Sequence, residues 1–372
     1  AFYLALQISD HPDGVVPFIV AEAGVGKSMG VVGFADAVKR TIRRLIASQQ
    51  LPEDFLGPPK VVIREDPRTG EQREVCTFAT PEWLFDLQTA KNGGVLFIDE
   101  LPDAQPATQA AALQILEGGI PGVWVGCAGN PVGCATNGYE LGMPVINRLC
   151  RIEWAEDRGA WRRGMLIGWD SLKGDYPVLP KNWDSHLLPM RALVVDYIDR
   201  NPTQLQQMPK GGQGLSEDGE VMPWPSQRAW TKVPTLLAAC KAVEADEEVE
   251  DILIRGIVGD GAAIGFRNWV KALDLPNPED LLANPSSYEP SVRGDLAFTV
   301  LCSVVAAVLR KNTPERWLAG WEIIERQAEH AADIAAAVCG PLAQKKPKKN
   351  GKAMEIPKSI EKLLFPILQA SA

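Results

Sequence analysis

Histidine is scarce in this chain, and the cysteines are poorly placed for metal chemistry. The three histidines, His11, His186 and His330, are far apart, so a histidine-based metal site is not expected. Cysteine occurs at 76, 127, 134, 150, 240, 302 and 339, an odd number with no C-x-x-C pair. That disfavours both a zinc site and a disulfide framework, and reduced core cysteines are the expectation. A positive charge surplus is also absent. The formal net charge of −9 does not favour nucleic acid or an anionic membrane as partner. No apolar run is long enough to span a bilayer. The longest, Leu296–Leu309, contains threonine and serine, is bounded by Asp295 and Arg310, and fits a buried helix. No secretory signal is read, and a cytoplasmic protein is expected.

What is present suits a globular protein. The 372 residues are 46% hydrophobic and 23% charged, which fits two or three domains. Residues 2–8, FYLALQI, read as a short amphipathic helix and 17–20, PFIV, as a buried strand. A helix is expected over 29–50. KVVIR at 60–64 reads as a second strand, with PRTGEQREV beyond it as a polar turn. Thr80 and Pro81 look like the N-cap and first position of the next helix. GVLFID (94–99), GVWVGCAGN (122–130) and LCRIEW (149–154) read as further strands, with a helix over QPATQAAALQILEGG between the first two. Apolar strands alternating with helices predict an α/β fold with a mostly parallel sheet covered on both faces. Ligands in such folds bind beyond the carboxyl ends of the strands.

After residue 156 the pattern turns helical, at 185–200, 226–245, 246–255 and 261–273, with a polar loop over 209–223. Two or three long helices are expected over 291–340. KKPKKNGK (345–352) reads as a solvated linker, and SIEKLLFPILQA as a docked amphipathic helix. The domains expected are 1–155, 156–290 and 291–372.

Five short segments carry the chemistry. PFIVAEAGVGKS orders a strand, a small-residue loop and Gly-Lys-Ser, as in a phosphate-binding loop of the form G-x-x-x-x-G-K-[ST]. Ala23, Gly24, Val25, Gly26, Lys27 and Ser28 would then surround the phosphates of ATP, with Ser28 on Mg²⁺. Asp99 and Glu100 end an apolar strand, where two carboxylates are expensive without a task. Asp99 would hold Mg²⁺, and Glu100 would act as general base on the attacking water. Asn130, in CAGNP, could orient that water, although Asn-Pro also forms turns. Arg148 precedes the next strand. Arg228 follows Ser226, a candidate N-cap, by two residues. A cation in a first helical turn opposes the helix dipole, so an anionic partner for Arg228 is expected.

In this order the segments resemble the AAA+ ATPases, and within them the MoxR-like group, over residues 1–275. The resemblance implies an AAA+ P-loop core, then an α-helical lid and a helical C-terminal extension. It implies Lys27 and Ser28 as Walker A, Asp99 and Glu100 as Walker B and Asn130 as sensor 1. Arg148 would be the arginine finger acting in a neighbouring subunit, and Arg228 would be sensor 2. It further implies a homo-oligomer, typically a hexameric ring, that remodels a protein client, often beside a partner with a von Willebrand factor A domain. Three features depart from the family pattern. Ala21 stands for the first loop glycine, and Gln227 stands where proline is usual. The span Leu116–Val123 is too short for the family's hairpin insert. The expected function is thus an ATP-hydrolysing remodeller. A nucleotide-gated scaffold with slow turnover is the alternative, and a DNA-associated motor is a weaker one given the acidic composition. A P-loop kinase fits the loop but not the Asp-Glu pair.

Overall fold

The apolar runs of the sequence pair in parallel, and a polar strand joins them at one edge. A computed structural model describes residues 1–131, 139–169, 176–209, 221–273, 275–291, 293–349 and 351–360. Its strands are β1 (Val16–Val20), β2 (Thr41–Ile46), β3 (Pro59–Glu65), β4 (Gln72–Phe78), β5 (Gly94–Asp99), β6 (Val123–Gly129), β7 (Leu149–Glu153), β8 (Lys348–Lys349) and β9 (Lys352–Ala353). Five of them form a sheet of order β2-β5-β6-β1-β7, and every pairing in it is parallel. β1 and β5 are buried along their whole length, as their continuous apolar sequence requires. β2 lies at the edge and exposes Arg43 and Arg44.

The first helices are α1 (Phe2–Gln7), α2 (Lys27–Ala37), α3 (Pro52–Leu56), α4 (Glu82–Thr89), α5 (Pro106–Gly118), α6 (Met143–Ile146) and α7 (Arg158–Ile167). They are followed by α8 (Leu187–Arg200), α9 (Gln227–Ala242), α10 (Glu247–Val258), α11 (Asp260–Lys271), α12 (Pro278–Ala283), α13 (Gly294–Arg310), α14 (Pro314–Ala328) and α15 (Ala332–Gln344). The expected α/β class therefore stands: a parallel sheet with helices against it, then a long helical portion.

The chain forms two compact units. One comprises residues 1–179, 206–236 and 245–263, and the other 180–205, 237–244 and 264 onward. In the first, Phe18, Leu96, Ile98, Val125 and Leu149 of the sheet pack with Ala112, Ile115 and Leu116 of α5. In the second, Trp317 and Trp321 lie edge to face at 5.8 Å among Val304, Val305, Ile323, Ile324 and Leu342. The Trp317 indole N–H donates to the Leu342 carbonyl at 3.0 Å. Gln327 is fully buried, and its Oε1 accepts a hydrogen bond from the Tyr288 hydroxyl at 2.6 Å. Burial of these polar groups is tolerated because each finds its partner.

Four expectations need correction. Residues 29–50 are not one helix. α2 stops at Ala37, Lys39 adopts a left-handed φ of 58°, and the chain enters β2. No glycine or proline announces that stop, and Lys39 bears the strain that glycine usually would. KVVIR is a strand, but it lies outside the main sheet. β3 pairs antiparallel with β4 from Pro59↔Phe78 to Glu65↔Gln72. The supposed polar turn is therefore half hairpin loop and half strand. α4 begins at Glu82 with Pro81 at the cap, one residue later than Thr80 and Pro81 suggested. The Lys-rich segment 345–352 is not wholly a linker, since β8 and β9 pair within it. The terminal helix expected in SIEKLLFPILQA falls largely outside the described residues, as does most of the polar loop.

Candidate active site

The order of the strands gathers the site. β1 lies between β6 and β7, while the chain leaving it crosses to the far edge at β2. Such a reversal opens a crevice at the carboxyl ends, where α/β sheets bind ligands. The loop after β1 begins with Ala21, whose φ is not positive and whose N–H donates to the Gly129 carbonyl at 3.3 Å. Alanine is therefore accommodated. Gly24 and Gly26 have φ of 88° and 91°. Nothing lies within 4 Å of where a Cβ would sit on either residue. Glycine is needed at both for backbone conformation, not for lack of room. α2 then starts at Lys27 with no side-chain cap, leaving its first N–H groups for an anion.

Lys27 is buried, and its Nζ donates to the carbonyls of Ala21 (2.6 Å) and Glu22 (2.9 Å) and to Asn130 Oδ1 (2.9 Å). Burial lowers its pKa below the usual lysine value, and Asp99 and Glu100 oppose that shift. The Ser28 hydroxyl donates to Asp99 Oδ2 at 2.6 Å. Lys27 and Ser28, at the start of α2, thus meet Asn130 and Asp99 at the ends of β6 and β5, with Glu100 beside Asp99.

Two participants were not foreseen. Arg44 of β2 binds Asp99 Oδ2 through Nε at 2.9 Å and Nη2 at 2.8 Å. Ser48, just beyond β2, donates its hydroxyl proton to Glu100 Oε2 at 2.6 Å. Both were hidden because 29–50 reads as one helix. The β-branched Thr41, Ile42 and Ile46 are the signal for a strand there. Parallel pairing of Ile46 with Asp99 brings these side chains to the carboxylates. Glu100 itself has a left-handed φ of 55°. A non-glycine residue in that region costs about 1 kcal/mol and is a recurrent mark of functional sites.

Arg148 and Arg228 gather elsewhere, around Glu117 of α5. Glu117 Oε1 accepts from Arg148 Nη2 at 2.9 Å and from Arg228 Nη2 at 3.1 Å. The hydrogen bond from Arg148, then its charge, holds the Glu117 carboxyl below the usual range. Arg148 is buried, whereas Arg228 is partly exposed. The anionic partner expected for Arg228 is thus Glu117. Lys232 stands one turn further along α9, and burial, then Arg228 and Arg148, push its pKa down to about 8. Ser226 caps α9 by accepting from the Ala229 N–H at 3.1 Å, and its own hydroxyl donates to Asn147 Oδ1 at 2.7 Å.

The residues present fit Mg²⁺ and a nucleotide. Ser28 Oγ and the Asp99 carboxylate are hard oxygen donors, the type Mg²⁺ prefers. The open space before Gly24 and Gly26 and the uncapped start of α2 suit a phosphate group. No protein-family model matches the chain, and no curated protein matches it. Solved structures give faint likenesses. A full-length MCM homologue from Methanopyrus kandleri is 14% identical with a TM-score of 0.34, covering 72% of this chain. The chain spans 54% of that homologue's length. The Thermotoga maritima RuvB Holliday junction branch migration motor is 12% identical with a TM-score of 0.26, covering 85% of this chain and 84% of its own. At such scores the likeness says nothing about function.

Proposed function

We propose that this chain is an AAA+ ATPase of MoxR-like type that binds ATP with Mg²⁺ and hydrolyses it. The carrying observation is the convergence of Lys27, Ser28, Asp99, Glu100 and Asn130 at the carboxyl ends of three neighbouring strands. In this reading the backbone of Ala23–Gly26 and the start of α2 cradle the phosphates. Lys27 turns from its carbonyl partners to the phosphate oxygens. Ser28 and Asp99 hold Mg²⁺, which supplies charge neutralisation on the phosphates when bound. Glu100 takes the proton of the attacking water, and Asn130 orients that water. Arg148 and Arg228 act on phosphate charge after leaving Glu117, Arg148 in a neighbouring subunit. Residues 1–155 form the nucleotide core, 156–290 the lid and 291–372 an extension. The chain assembles as a homo-oligomeric ring, hexameric by family resemblance. It works in the cytoplasm on a protein client, with a von Willebrand factor A-domain protein as candidate partner. No described helix is long and apolar enough to cross a membrane.

One observation favours a second reading. Both arginines are engaged by Glu117, so a nucleotide-gated scaffold would turn over slowly until something frees them. Hydrolysis and nucleotide affinity, measured on the protein with and without Mg²⁺, test both readings. Mg²⁺-dependent hydrolysis lost in Lys27→Ala supports the first. Tight binding with negligible turnover at every protein concentration supports the second.

A further inference from the structure

Helix α7 is exposed around nearly its whole circumference. Only Gly164 is buried, where the Trp169 ring folds back over it. Trp161, Met165, Leu166, Ile167 and Trp169 are each between 56% and 71% exposed. Arg158, Arg162 and Arg163 are exposed beside them, and the helix carries no acidic residue. From ordinary side-chain areas this is on the order of 500 Å² of apolar surface. A patch of that size on one short segment marks an interaction site.

We propose that α7 is a contact surface for a second copy of this chain. Its composition is that of a protein interface, where tryptophan, methionine and arginine are enriched and lysine is depleted. At 100° per residue, Arg158, Arg162 and Arg163 share one side of the helix with Leu166 among them, and Trp161, Met165 and Ile167 lie on the other. The charge fits a second copy, since the arginines of α7 would meet a chain whose net charge is −9. Its position fits as well. The chain before α7 packs Trp154 against Gly30 of α2, 3.2 Å from where a Cβ would sit. The chain after it packs Tyr176 edge-on against Phe34 of α2, with ring centroids 5.2 Å apart. Both flanks thus lie on α2, the helix that opens from the loop read as phosphate-binding. This last support rests on the ATPase reading, while composition and charge do not.

The test is sedimentation of the full chain with and without a non-hydrolysable ATP analogue and Mg²⁺, alongside fluorescent nucleotide binding. The variants are Trp161→Gln/Leu166→Gln and, separately, Arg162→Glu/Arg163→Glu. All four positions are exposed, so both variants should fold, and thermal unfolding checks this. The expected result is that the wild-type chain assembles while both variants stay monomeric and bind nucleotide with unchanged affinity. Assembly undiminished in both folded variants overturns the proposal, as does a wild-type chain that binds nucleotide but stays monomeric up to 100-fold above its Kd. Partition of wild-type chain, but not the arginine variant, onto anionic phosphatidylserine vesicles would also overturn it, in favour of a membrane. If no nucleotide binds, the ATPase reading fails by itself. Self-association that is still lost in both variants then continues to support the α7 contact.

Discussion

Replacing Arg44 by methionine should destabilise the ligand-free protein and make it more responsive to Mg²⁺. Asp99 is almost fully buried, and Arg44 gives its Oδ2 two charge-assisted bonds at 2.9 and 2.8 Å. Bonds to a charged group are worth about 1.5–3 kcal/mol, and solvent screening reduces that. The Arg44 side chain is 43% exposed, so a loss of about 1–2 kcal/mol is expected. Ser28 and the Glu100 N–H still serve the carboxylate, which keeps the loss at this size. Methionine preserves the apolar stem, so packing changes little. At about 2–4 °C per kcal/mol for a unit of this size, the melting temperature should fall on the order of 5 °C. With ATP and Mg²⁺ the deficit should shrink, because the metal then neutralises Asp99. The Mg²⁺ concentration needed for nucleotide binding should also drop, since a competing cation is gone. Thermal unfolding and fluorescent nucleotide titration read both effects. A variant as stable as wild type without ligand would mean that Arg44 does not support Asp99, and an equal deficit with and without Mg²⁺ and ATP would mean that the metal does not take its place.

Two further substitutions probe the arginine cluster. Glu117→Gln should change stability little, as the carboxylate is exposed and its ion pairs are screened by solvent. It should also raise basal ATP turnover by releasing Arg148 and Arg228. Turnover unchanged or lowered would argue that Glu117 does not restrain them. Lys232→Met should remove a pH dependence. The folded pKa of about 8 lies below the ordinary 10.5, so the folded state releases the proton first. Below pH 8 the penalty on the charged form is complete. Stability should then rise by about 3 kcal/mol between roughly pH 8 and pH 10.5 and level off above. Urea unfolding across that range checks the slope, and a rise that persists in Lys232→Met would assign it to another group.

Most of the residues gathered at the strand ends were legible because strand, turn and polar residue are adjacent in the chain. Ser28 and Asp99 are 71 residues apart, yet each announces itself locally. Arg44 and Ser48 did not, because their strand is polar at the sheet edge and follows α2 without a glycine or proline. The antiparallel pairing of β3 with β4 was missed for a related reason. A hairpin with both faces largely exposed lacks the alternation that marks a half-buried strand. Arg148 and Arg228 were found as cations, but their common tie to Glu117 spans 31 and 111 residues and needs the fold to be seen.

The proposed chemistry is ATP hydrolysis at the Asp99–Glu100 strand end. Single-turnover hydrolysis of ATP by wild-type protein and Glu100→Gln, each with bound nucleotide quantified, tests it most directly. Wild type should release phosphate in a Mg²⁺-dependent way, and the variant should retain ATP but release phosphate at least a hundredfold more slowly. Equal phosphate release from both proteins would contradict it.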